Sequence, residues 1–324
     1  MIKEKRNDIQ FLRAIAIIAV ICIHTCPIGV AQVYIRPFIN YAVALFVFLS
    51  GYLTKIENDN WLSFFKKRIS RVLIPYCIWT VFYVITQSGT SIQSILTTPK
   101  HLLLADAIVP LYYIPVYIGL VLITPLLSLL IKTKYRNAVW MISPFYKIII
   151  FYLPLVFSFQ YSSVITKLPA LWFMDWLIYY FLGIILGNHL CSSKFNLKLM
   201  IPLFVFSLIL QSVEGHILYT IFNYINCGTQ SKLTCLASNI IFLLIIHTLL
   251  QAKRLNINST LTEKIGDYSF GIYLCHVSFI NHFPYLSYFP FPINSLLVLL
   301  MSLAFCWICD HALNRRVCKW LGII

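Results

Sequence analysis

The chain has 324 residues, of which 60% are hydrophobic and only 11% charged, with a formal net charge of +15. A soluble domain carries about 25% charged residues, so this composition excludes an ordinary water-facing surface and points to lipid. The positive balance does not indicate a nucleic-acid binder, because the basic residues fall in short clusters between apolar runs and not in one exposed patch.

The first element is the run Asp8 to His24, in which Arg13 and His24 bracket ten nearly all aliphatic residues. At ~100° per residue the two side chains share one helix face, separated by ~16 Å of rise. In a first membrane helix, Arg13 then sits near one interface and His24 near mid-bilayer, where an ionisable group marks a cavity, pathway or site. Many spans follow and no small-residue cleavage site does, so this run is expected to be a retained helix and not a signal peptide.

Further runs of spanning length follow, giving ten in all: about 9–28, 37–54, 71–87, 108–131, 144–160, 169–188, 199–214, 232–250, 266–283 and 293–311. With the amino terminus inside, all Lys and Arg lie on the cytoplasmic side except Arg36, Lys100, Lys167 and Lys232. The positive-inside rule therefore selects cytoplasmic termini and an even number of spans. The expected fold is an all-α integral membrane bundle of about ten helices. It forms a single domain over 1–324, since no polar gap is long enough for an appended soluble domain.

Several stretches carry candidate chemistry. Phe46 to Tyr52 ends the second span, and its Ser50-Gly51 pair reads as a close helix contact. Lys66-Lys67-Arg68-Ile-Ser-Arg71 lies in the first cytoplasmic loop. It reads as a topology signal or, because Arg68 and Arg71 share a face once a helix begins, as a phosphate clamp. Pro110 to Tyr117 and Trp172 to Trp176 are rich in aromatic residues of the kind that anchor span ends. Asp175, a carboxylate inside an apolar run, is suited to orienting a histidine, binding a sugar hydroxyl or being held protonated. Glu214 and His216 fall at the exit of the seventh span. In the ninth span His276 lies at about the depth of His24, in the segment that also holds Tyr273. It is either a structural hydrogen-bonding group or part of a polar cavity shared with His24. The cysteines lie mostly within apolar runs and read as small hydrophobes, with Cys227 and Cys235 free to pair outside the cell. No metal-like spacing occurs.

Together these motifs resemble acyltransferase family 3, the integral-membrane acyltransferases of bacterial surface glycans. The resemblance rests on Asp8, Arg13 and His24; on Phe48 to Tyr52; on Arg68, Arg71 and Pro75; and on Gly266, Ser269, Gly271 to Leu274 and His276. Many members have a histidine where the fourth span here has Pro110, so that residue's role does not carry over. The resemblance implies transfer of an acyl group, most often acetyl, from cytoplasmic acyl-CoA to a sugar hydroxyl of a surface or lipid-linked glycan, in the bacterial cytoplasmic membrane. Arg68 and Arg71, with Lys67, would hold the nucleotide phosphates, and Arg13 would stabilise charge along the donor path. His24 would act as general base or take the acyl group itself. Asp175, His276 and Tyr273 are the candidate substrate contacts. The rival reading is a glycan or small-solute carrier with His24, Asp175 and His276 as a proton relay.

Overall fold

The computed structural model describes residues 6–57, 60–89, 92–158, 169–190, 195–255 and 259–324. Of the charges that set the expected topology, Lys3, Lys5, Lys167 and Lys194 lie outside these residues. Every regular element among the described residues is helical. In chain order these are α1 (Asn7–Thr25), α2 (Ala31–Ile35), α3 (Tyr41–Tyr52), α4 (Trp61–Ser88), α5 (Ile92–Leu104), α6 (Tyr113–Leu130), α7 (Val139–Lys147) and α8 (Leu153–Phe157). They continue with α9 (Pro169–Gly187), α10 (Leu197–Thr220), α11 (Leu233–Gln251), α12 (Thr260–Asp267), α13 (Ser269–His282), α14 (Ile293–Ala312) and α15 (Arg315–Trp320).

Eight helical stretches are long and apolar enough to cross a membrane: 7–25, 31–52, 61–87, 109–130, 134–157, 197–220, 233–251 and 293–312. Each overlaps an expected span. The two remaining spans are helical as well: α9 runs for 19 residues over Pro169–Gly187, and the 266–283 run divides into α12 and the 14-residue α13 around Tyr268. The exposed face of α10, with Leu199, Ile201, Val205, Ile209 and Val213, is an apolar stripe suited to lipid.

Helix α1 is the centre of the bundle. Leu12 and Ala16 enter one apolar cluster with Leu45 and Phe48 of α3, Phe181 of α9 and Leu243 of α11. Ile17 and Ile21 enter a second with Tyr83 of α4, Ile114 of α6 and Ile272 of α13. Five residues along a helix turn the side chain by about 140°, so Leu12 and Ile17 face different neighbours. The helix thus has no fully exposed face, and its ionisable residues Asp8, Arg13 and His24 are all at least partly buried.

Helices α3 and α9 meet backbone to backbone. A Cβ added at Gly51 would lie 2.1 Å from the carbonyl oxygen of Tyr180, and one at Gly183 would lie 2.3 Å from that of Phe48. The Ser-Gly motif therefore serves backbone approach, as its sequence suggests. Cys227 and Cys235 are both buried free thiols, so the pairing left open from the sequence is not formed; Cys227 Sγ donates to the Gly29 carbonyl at 3.3 Å.

Candidate functional site

The path from Ile21 through Cys26-Pro27 ends α1 at Thr25, so His24 stands in its last turn and not midway along a longer span. Proline disfavours helix in the residue before it, which accounts for the early stop. Beyond this end lies a cavity of about 730 Å³ whose wall includes His24, Tyr113, Trp172, Asp175, Trp176 and Tyr273. Aromatic walls with a few convergent polar groups are the usual form of a small-molecule site.

The rings of His24 and His276 lie 5.3 Å apart between centroids. His276 is fully buried, and its Nδ1 donates to the carbonyl oxygens of Tyr273 at 2.8 Å and Ile272 at 3.1 Å. A carbonyl only accepts, so this hydrogen bond puts the proton on Nδ1. In the neutral ring it leaves the lone pair on Nε2. That Nε2 is buried with no hydrogen-bond partner among the described residues. The two histidines thus come together as the matching depths in sequence suggest. Tyr273 lines the cavity beside them, its hydroxyl donating to the Pro110 carbonyl.

Across the cavity, Asp175 Oδ1 lies 2.6 Å from Lys147 Nζ, an ion pair by distance though not aligned as a hydrogen bond. Lys147 Nζ also donates to the Gln230 carbonyl at 3.0 Å. Lys147 is only 3% exposed. From sequence it counts among the cytoplasmic charges, at the start of the expected 144–160 span. The helix instead runs through Pro144 from Lys134 to Phe157, which puts Lys147 inside it, directly before the π-helical turn Ile148–Tyr152. Arg36, read from sequence as an external charge, also lines the cavity.

A second group of cations lies toward the other end of α1. The basic run expected in a loop belongs to the first turns of α4, which begins at Trp61 with the Asn60 side chain accepting from the Ser63 amide at 2.9 Å. Arg68 donates to Ser50 and to the Leu53 carbonyl at 3.3–3.4 Å, tying α4 to the carbonyl end of α3. It also stacks on Phe64 at 4.9 Å. Arg71 and Lys67 are exposed. Arg13 is half-buried, with Arg71, Tyr113, Tyr117 and Asp267 as electrostatic neighbours. Arg71 is thus the cation within electrostatic reach of Arg13, while Arg68 is engaged with α3.

His24, Asp175 and Tyr273 therefore share one cavity, and His276 lies behind His24. Arg13, Lys67, Arg68 and Arg71 are not in its wall. Tyr113 links the regions, since it lines the cavity and neighbours Arg13. Glu214 is held by Tyr152 and Thr234, which makes it part of the scaffold. Arg36 and Lys147 were missed as site residues. Lys147 carries the signal that singled out Asp175, a lone charge in an apolar run. Among the described residues no group of three metal-ligating side chains occurs.

These features define a multi-pass helical membrane protein with an aromatic-walled cavity, carrying a few polar groups, beside a histidine pair. The family model of acyltransferase family 3, described as an acyltransferase domain, matches residues 6–311, and the chain belongs to that family. A search of curated proteins and of solved structures finds no match. The chain is accordingly a membrane acyltransferase, and the carrier reading is not favoured.

Proposed function

We propose that this protein is an O-acyltransferase, most naturally an O-acetyltransferase, of the bacterial cytoplasmic membrane with both termini in the cytoplasm. It takes the acyl group from cytoplasmic acyl-CoA and passes it to a sugar hydroxyl of a cell-surface or lipid-linked glycan. The whole chain acts as one transmembrane domain. The observation that carries this reading is His24 on the wall of an aromatic cavity with the buried His276 beside it.

In the reaction, His24 accepts the proton of the acceptor hydroxyl as its oxygen attacks the thioester carbonyl. The carbon–sulfur bond then breaks and the departing thiolate takes up a proton to give the free thiol of CoA. His276 is a positioning residue, held by its bond to Tyr273 and packed against the base. Trp172, Trp176 and Tyr112 provide flat apolar faces for a sugar ring, and the Asp175–Lys147 pair provides hydroxyl partners. At the cytoplasmic end, Arg71 and Lys67 attract the donor's phosphates, with Arg13 close to Arg71 and Arg68 bracing α4 on α3. The ~16 Å of helix between Arg13 and His24 is a distance that an extended pantetheine arm spans.

The deciding experiment is acetyl-CoA binding by calorimetry and acetyl transfer in detergent, for wild type and His24→Ala. Binding by both, with transfer lost only in the variant, is the expected result. Normal transfer by a monodisperse His24→Ala protein overturns the assignment.

A further inference from the structure

Arg36 sits in the cavity wall within electrostatic reach of His24. Its Nε donates to Asn40 Oδ1 at 3.0 Å, and its Nη1 makes one long contact, 3.5 Å, to the Ile23 carbonyl. Asn40 is itself fixed, donating to Gln211 Oε1 at 2.6 Å and to the Gly228 carbonyl at 3.2 Å. The guanidinium is therefore oriented by a buried amide network. No carboxylate pairs with it among the described residues, and Asp175 of the same wall is engaged by Lys147.

Nη2 of Arg36 makes no hydrogen bond among the described residues. A pre-oriented guanidinium with an open edge and no acidic partner is matched to a ligand oxyanion, which its planar fork binds through two parallel bonds. Lys147, the other cation in the wall, is already paired with Asp175, so the cavity's charged side chains leave one positive charge over, on Arg36. Retaining an unpaired charge away from bulk water is costly unless a ligand completes it.

We infer that the acceptor is anionic where it enters this cavity: a carboxylate or phosphate oxyanion seats on Arg36, placing the neighbouring hydroxyl at His24. This rests on the reading of the cavity as the acceptor site. The two sources of such a group are an acidic sugar of the glycan and the phosphate end of a lipid-linked sugar.

The test is equilibrium binding of three probes to the full-length purified protein at fixed ionic strength: methyl β-glucuronide, glucose 1-phosphate and the neutral methyl β-glucoside. Wild type is expected to bind one anionic probe at least ten-fold more tightly than the neutral one, and which one identifies the source. Arg36→Gln is expected to remove the preference. Equal binding of all three by wild type, or a preference surviving in Arg36→Gln, overturns the inference. Protection of Arg36 from phenylglyoxal by the preferred probe, read by peptide mass spectrometry, gives the same answer without a variant should Arg36→Gln not fold. Acetyl-CoA is absent from these titrations, so a failed donor assignment leaves them intact. Displacement of the anionic probe by free coenzyme A would assign Arg36 to the donor and overturn the inference.

Discussion

The imidazoles of His24 and His276 lie 5.3 Å apart at an interplanar angle of 50°, one lining the cavity and the other fully buried behind it. Because His276 Nδ1 is committed to the Tyr273 carbonyl, its two nitrogens are separable by substitution. Asparagine at 276 keeps a donor near Nδ1 and removes Nε2. His276→Asn is expected to lower kcat by about ten-fold or more, with the donor KM and thermal midpoint close to wild type. His24→Ala is expected to cost the 10²- to 10⁴-fold typical of a lost acid–base group. Transfer kinetics beside a thermal-unfolding scan in detergent check both. A structural role alone for His276 would lower the midpoint and spare kcat.

Arg68 and Arg71 are three residues apart on α4 but do different things. Arg68 is bonded to the carbonyl end of α3, whereas Arg71 is exposed and within electrostatic reach of Arg13. Arg68→Ala is expected to lower the thermal midpoint as well as donor binding. Arg71→Ala is expected to leave the midpoint unchanged and weaken acetyl-CoA binding by roughly ten-fold, the scale of one charge-assisted hydrogen bond. The Arg71 contribution should also shrink with added salt, since exposed charges are screened. Calorimetric titration at two salt concentrations measures this.

The α3–α9 contact leaves no room for a methyl group. At Gly51 and Gly183 the obstructing atoms are carbonyl oxygens of the facing helix, which cannot rotate aside as a side chain would. Gly51→Ala and Gly183→Ala each force the helices apart, and overpacking of this kind costs about 1–3 kcal/mol. A clear drop in thermal midpoint, with a further drop in the double variant, is the expected outcome of unfolding scans.

Long apolar runs made the helical class and the position of α1 legible, because helix length against bilayer thickness is a one-dimensional property. The Arg13–His24 face was read from helical periodicity, and the common level of His24 and His276 from their depth along their spans. Polar helix ends were not legible in that way. The first turns of α4 read as a loop by hydropathy, although Asn60 carries a capping signal that the structure uses. Lys147 falls at the start of the 144–160 run and so counts with the cytoplasmic charges by hydropathy, whereas the helix begins earlier, at Lys134, and carries Lys147 inside it. Pairings such as Lys147 with Asp175, or Asn40 with Gln211, join distant segments, and no local pattern announces them.

The Lys147–Asp175 pair makes the strongest energetic prediction. Both partners lie in the cavity wall, at 3% and 18% side-chain exposure, and Lys147 gains one further bond from the Gln230 carbonyl. Removing one partner of a buried pair strands the other charge, at a cost of about 3–5 kcal/mol, whereas neutralising both can be nearly neutral. Lys147→Met and Asp175→Asn are each expected to lower the thermal midpoint markedly. The double variant should recover much of that loss, its cost falling well below the sum of the two single costs, which is the mark of coupled residues. Additive losses would mean that the two side chains act independently. Recovery of stability without recovery of transfer would show that the charges, beyond holding α7 against α9, are needed by the substrate.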